Sequence, residues 1–205
     1  LEKYALTSLG GLAQLPNRSL TRTGGLVAAV QSGFSKKSGK PYALVTLEDL
    51  DASVQVLCVN ENYEKHRALL APGTPLLVIG EVNQGEDRPK IFPQDILPLE
   101  DAPRRFTKQI LLLLHEERIT VDHINHVREI TETFPGRCPL FLCFHRLSGE
   151  WVVIETHERF AVQPGLDLQR AIDAAFGEGT YFAKADPTLP ERPPRTFGPR
   201  GRPAE

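Results

Sequence analysis

The chain has 205 residues, with 24 Lys and Arg against 26 Asp and Glu for a formal net charge of −2, and 40% of its residues are apolar. This balance excludes a wholly disordered chain and a polyanion binder that works by global charge, so any nucleic-acid contact must come from a local patch. No uncharged apolar run nears the ~18 residues a membrane helix needs, which argues against a membrane partner, and no signal-like segment is visible.

Cys58, Cys138 and Cys143 are the only cysteines. An odd, low count argues against a disulfide scaffold and for a reducing, cytoplasmic setting. The chain contains no Met and begins at Leu1. We therefore expect a processed chain or, rather, a piece of a longer product, with any catalytic residues upstream.

Residues 1–18 read as a lead-in helix or linker, with Leu6, Leu9, Leu12 and Leu15 spaced by three. From 19 to 103 the pattern is β. Leu20 to Phe34 is a long β-prone stretch, and Tyr42 to Asp49 alternates around Leu44, Val45 and Leu47. Ser53 to Asn60 places Val54, Val56 and Cys58 on one face. Glu61 to Ala71 reads as a short helix, with Asn60 as its N-cap and Pro72-Gly73 as its stop. Thr74 to Asn83 and Lys90 to Leu97 are further strands, the last an edge or bulged strand because of Pro93. The order β-β-β-α-β-β is that of the five-stranded Greek-key OB barrel.

Pro98 to Pro103 is a natural boundary. Residues 104–184 read as a small β-α-β-β-α module, giving the fold class β barrel plus α+β. Its elements are a strand from Phe106 to His115, a helix from Val121 to Phe134 capped by Thr120, a hairpin from Cys138 to Thr156 around Ser148-Gly149, and a helix from Leu166 to Phe176 ended by Gly177. Residues 185–205, rich in Pro and Arg, read as a disordered tail.

The most informative cluster runs from Phe34 to Tyr42, between the first two barrel strands. Lys36, Lys37 and Lys40 can neutralise phosphates, and Phe34 and Tyr42 at its shoulders can stack unpaired bases. A solvated hairpin turn is the alternative. The OB order favours the binding reading, because this loop borders the usual binding face. A phosphate-loop reading of Gly33, Gly39 and Lys40 fails on spacing, and Pro41 stands where a hydroxyl is needed.

No catalytic constellation is found. Glu48, Asp49 and Asp51 fit a tight turn better than a metal site. Cys138 lies out of phase with Cys143 and His145, so those residues make a weak zinc case, and His123 with His126 lacks further ligands. We therefore expect no catalytic residues, no metal and no cofactor in this segment. Phe106, Phe141, Phe144 and Trp151 suit core packing, an exposed subset being able to anchor a partner.

Residues Gly25-Leu26-Val27, Ser35-Lys36-Lys37-Ser38-Gly39, Thr46-Leu47-Glu48-Asp49 and Val59 to His66 resemble the OB domain of the bacterial replicative DNA polymerase III α subunit. Asn60 replaces the usual Phe, and Ser38 is inserted before the glycine. Residues 104–184, with Arg137-Cys138-Pro139-Leu140, are similar to the C-terminal domain of that family. The resemblance implies single-stranded template binding, partly through Lys36, Lys37 and Lys40. It also implies that the second module binds the clamp-loader τ subunit, alongside other holoenzyme subunits. The parent would be a Mg2+-dependent nucleotidyltransferase whose catalytic aspartates lie upstream. A free-standing OB nucleic-acid-binding protein and a protein-interaction adaptor remain as alternatives.

Overall fold

The computed structural model describes residues 3–36, 38–85 and 88–190. Its first half is a closed barrel of strands β1 (Leu20–Phe34), β2 (Pro41–Glu48), β3 (Ser53–Val59), β4 (Pro75–Gln84) and β5 (Pro89–Pro98), in the order β1-β2-β3-β5-β4. All pairings are antiparallel except β3 with β5. The alternation read from the sequence is what fills the barrel: Val54, Val56 and Cys58 are buried beside Val45, Leu47, Val78 and Ile91.

Closure depends on β1. Its first half pairs with β4 and its second half with β2, and a bulge between Val27 and Ala29 bends it from one partner to the other. Gly25 makes the bend possible, since a Cβ there would lie 2.6 Å from the carbonyl oxygen of Glu48. The irregularity expected from Pro93 is present: the β4–β5 register shifts between Ile79 and Gly80, next to the Gly80–Pro93 pair. The lead-in is a 3-10 turn, Gly10–Gln14, whose Leu12 joins Leu9 in the barrel core.

The helix α1 (Glu61–His66) sits between β3 and β4 as expected and runs into a 3-10 turn, Arg67–Leu69. Asn60 precedes it but does not cap it through its side chain. Its φ of 52° turns the chain instead, and its backbone N–H donates to the Pro41 carbonyl.

The second half begins with the short helix α2 (Ala102–Phe106) and continues through β6 (Thr107–His115), α3 (Val121–Thr133), β7 (Pro135–Cys138), β8 (Leu140–His145), β9 (Trp151–Glu155), α4 (Leu166–Phe176) and β10 (Tyr181–Ala185). The expected β-α-β-β-α order is thus extended by α2, which takes Phe106 from the expected first strand, and by β7 and β10. Strands run β10-β6-β8-β9, with β6 and β8 parallel across the α3 connection. Thr120 caps α3 in a reciprocal box with His123, and Gly177 ends α4 at φ +94°. Ile110, Leu112, Leu114 and Leu140 meet Val127, Ile130, Leu168 and Ile172 of the helices in one core.

A third cluster joins the halves: Tyr4, Leu77, Ile79, Leu97, Ala102 and Phe106, with Ala185 and Leu189 packed against it. At its centre Arg22 is fully buried. Its Nε donates to the Tyr4 carbonyl at 2.6 Å, its Nη2 to Asp186 at 2.6 Å and its Nη1 to Thr188 at 3.4 Å. Burial lowers the pKa of this guanidinium, and the attraction of Asp186 opposes that. Residues 185–190 therefore depart from the expected disordered tail, since Ala185 closes β10 and the next residues accept the Arg22 hydrogen bonds. The rest of that tail, 191–205, lies outside the described residues.

Candidate nucleic-acid interface

The β1–β2 loop is built from its own backbone. The Ser35 N–H donates to the Lys40 carbonyl at 2.9 Å, and the Gly39 N–H to the Ser35 carbonyl at 2.7 Å. Gly39 takes φ +66°, a conformation glycine adopts without penalty. The loop presents Lys36 and Lys40 to solvent, while Lys37 lies outside the described residues. Phe34 is 74% exposed.

The two shoulder aromatics do not share a face. Tyr42 pairs with Gly33, and its ring lies across that glycine: a Cβ on Gly33 would be 3.2 Å from the Tyr42 hydroxyl oxygen. It stands in phase with Leu44 and Thr46 on the outside of the barrel. Phe34 pairs with Pro41, one residue out of phase, and so points to the opposite side of the hairpin. A base stacked on one ring is not sandwiched by the other.

The outer face of β2 and β3 carries a groove of about 480 Å³, bordered by Gly85, Arg88 and Pro89. Register places Thr46 beside Gln55 and Gln55 beside Lys90, which makes a polar row across three strands. Arg88 and Lys90 supply the charge at the rim. The sequence reading did not single out Thr46, Gln55, Arg88 or Lys90. The signal was available, because in an OB order the β4–β5 loop is the second border of the binding face.

The acidic turn after β2 is structural. Oδ1 of Asp49 accepts the N–H groups of Asp51 and Ala52 at 2.9 and 2.8 Å. Burial pushes the pKa of this carboxyl up, but these bonds and one from Leu9 outweigh it and hold it below the usual carboxylate value. Among the described residues no group of three or more His, Cys, Asp or Glu could hold a metal. The three cysteines are buried and free, with burial pushing the Cys58 thiol up to about 12 and Cys138 up to about 11. His123 and His126 both stand against the Phe176 ring. Phe106 is buried and Phe141 and Phe144 are half-buried, whereas Trp151 is exposed. No described helix is long and apolar enough to cross a membrane.

The class is set by the fold: the barrel is an OB fold, and residues 22–99 match the tRNA anti-codon family model, which describes an OB-fold nucleic acid binding domain. The chain carrying it is similar to DNA polymerase III α subunits, as its motifs led us to expect. That of Saccharopolyspora erythraea is 34% identical over 95 residues, 46% of this chain and 8% of that protein. That of Haemophilus influenzae is 25% identical over 189 residues, 86% of this chain and 16% of that protein. The chain thus spans less than a fifth of the length of these relatives. Among solved structures, a domain of replication protein A from Methanococcus maripaludis is similar at 17% identity and a TM-score of 0.36, covering 44% of this chain and 94% of that one.

Proposed function

We propose that the barrel binds single-stranded DNA across the outer face of β2 and β3, between the Lys36–Lys40 loop and the β4–β5 connection. The observation that carries this reading is the polar groove of about 480 Å³ with Arg88 and Lys90 at its rim. Those cations and the loop lysines bracket the face, while Thr46 and Gln55 supply neutral hydrogen bonds. The similarity to DNA polymerase III α subunits supports a role in template handling during cytoplasmic DNA replication. In this reading the segment serves a polymerase whose chemistry is a Mg2+-dependent nucleotidyl transfer.

The second module is the assembly half, with the clamp-loader τ subunit as its partner among the holoenzyme subunits. The support is β9, a sheet edge along which Trp151, Val152, Val153 and Ile154 are all exposed.

Fluorescence anisotropy with a labelled oligothymidylate tests the first claim. Lys36→Ala with Lys40→Ala, and separately Arg88→Ala with Lys90→Ala, are each expected to flatten the log–log salt dependence by about 1.4, at ~0.7 per phosphate lost. Slopes equal to wild type in both variants would remove this face from the site. Co-purification of τ with wild type but not with Val153→Asp tests the second claim, and equal recovery would sink it.

A further inference from the structure

A larger polar groove lies away from the barrel face. It measures about 720 Å³ and opens between α2, the start of β6, β7 and the Gln163-Pro164 segment. Three elements each send one cation into it: Arg104 from α2, Lys108 from β6 and Arg137 from β7. All three are exposed, and no carboxylate is among its described lining residues.

The charge is uncompensated. Among the described residues Arg104, Lys108 and Arg137 enter no ion pair, although their neighbour Arg105 is bound to Asp95. Asp186 feels Lys108, but its carboxylate accepts the Thr188 N–H at 2.9 Å and it does not line the groove. In a chain of net charge −2, three such cations around one depression are not a general property of the surface.

The walls are fixed by packing. Ala102 and Phe106 are buried on either side of Arg104, and Phe106 ends the helix against the inter-module cluster. Gly136 lets β7 press against the Val162–Gln163 backbone, where a Cβ would come within 2.3 Å of the Val162 carbonyl carbon. Arg137 follows Gly136 directly and lines the groove together with Gln163.

We propose that this groove is a second nucleic-acid contact that grips the phosphodiester backbone of the strand leaving the barrel face. The inference rests on the single-stranded DNA reading above. Its described lining residues include no aromatic ring, so it offers phosphate neutralisation without base stacking and takes any sequence. The connection is direct in the chain. β5 starts in the first groove at Pro89 and Lys90 and leads through Pro98 into α2, which bears Arg104. Arg105, next to Arg104, is bound to Asp95, which lies five residues from Lys90 and so about 17 Å along β5 at ~3.3 Å per residue. That exceeds the ~8 Å Debye length at physiological salt, so the two patches neutralise phosphates independently.

The test uses the full 205-residue chain with oligothymidylates of about 10 and about 40 nucleotides, bracketing the ~4–16 nucleotides one OB fold covers. Arg104→Gln with Arg137→Gln is expected to weaken the long oligonucleotide about tenfold and to lower its salt slope by about 1.4, leaving the short one unchanged. Arg88→Ala with Lys90→Ala is expected to weaken both lengths. Wild-type behaviour of the Arg104/Arg137 variant on both lengths overturns the second contact and leaves the barrel reading standing. Loss of both lengths in that variant, with the Arg88/Lys90 variant unaffected, overturns the barrel reading instead. A wild-type chain that binds neither length overturns both. Circular dichroism melting of each variant guards against misfolding, and Lys108→Gln provides an independent substitution with the same expected direction.

Discussion

The guanidinium of Arg22 lies 4.1 Å from the centroid of the Phe106 ring, and this contact joins the barrel to the second module. Arg22 comes from β1 and Phe106 from the last turn of α2. The charge is buried without a carboxylate bonded to it. Three backbone carbonyls and the face of a ring stand in for water.

Removing that group leaves the carbonyls of Tyr4, Asp186 and Thr188 without their donor. Arg22→Ala is expected to cost about 3 kcal/mol or more. It should also uncouple the halves, so that calorimetry resolves two transitions where wild type shows one. Arg22→Lys should recover only part of the loss, because an ammonium cannot span three acceptors in one plane. A single transition at the wild-type temperature in Arg22→Ala would show that the junction does not depend on this residue.

Because Phe34 and Tyr42 face opposite sides of their hairpin, their contributions to DNA binding should be separable. Tyr42→Ala is expected to cost about 1–3 kcal/mol of oligothymidylate affinity, the usual loss for one stacked base. The double variant with Phe34→Ala should equal the sum of the single losses. Strong non-additivity in a double-mutant cycle would mean that both rings hold the same base.

His66 is buried, with Nε2 3.5 Å from Oδ1 of Asp95. Burial lowers its pKa, Lys65 lowers it further, and Asp95 pulls the other way. With the folded value below the unfolded ~6.5, both states are neutral above that pH and stability is fully present there. As pH falls below it, the unfolded chain takes up a proton that the folded chain resists, and stability is lost until the folded pKa is passed. Urea midpoints should drop between pH 7.5 and 5.5, and less so in His66→Gln. Asp95 acts lower on the scale: burial raises its pKa, but Lys65 and Arg105 hold it below the usual value, so its contribution persists to about pH 4 before acid removes it. A midpoint that rises towards pH 5.5 would contradict the His66 assignment.

Two glycines should differ sharply on substitution. A Cβ on Gly80 would lie 2.5 Å from the Phe92 carbonyl oxygen and 2.7 Å from Cγ2 of Ile91, inside the barrel wall. Gly80→Ala should cost about 2–3 kcal/mol through overpacking. Gly39 has open space around it, and only its φ of +66° resists a side chain, so Gly39→Ala should cost about 1 kcal/mol. Equal urea midpoints for the two variants would show that the β4–β5 bulge absorbs the extra methyl group.

Regular burial was legible in the sequence. The alternation of Val54, Val56 and Cys58, the Thr120 cap and the Gly177 stop each report a local rule that tertiary structure left intact. The misses share a cause, in that their residues are explained only by distant partners. β7 reads Pro-Gly-Arg-Cys and has no alternation of its own, and it exists because Gly136 meets the backbone of Val162. β10 is five residues long and follows a glycine-rich turn, and its pairing with β6 supplies the stability its own pattern lacks. Arg22 looks like a surface residue until Tyr4, Asp186 and Thr188 surround it. Of the candidate site, the lysine loop was visible as composition. The Thr46–Gln55–Lys90 row required strand register, which no local signal states.

β1 carries Arg22 near one end and Phe34 at the other, with about 40 Å of strand between them at ~3.3 Å per residue. The buried junction and the exposed lysine loop are therefore two ends of one lever, with the bulge after Val27 as its elbow. A force that tilts the second module against the barrel reaches the loop through covalent bonds and ladder hydrogen bonds, with no side chain needed to relay it.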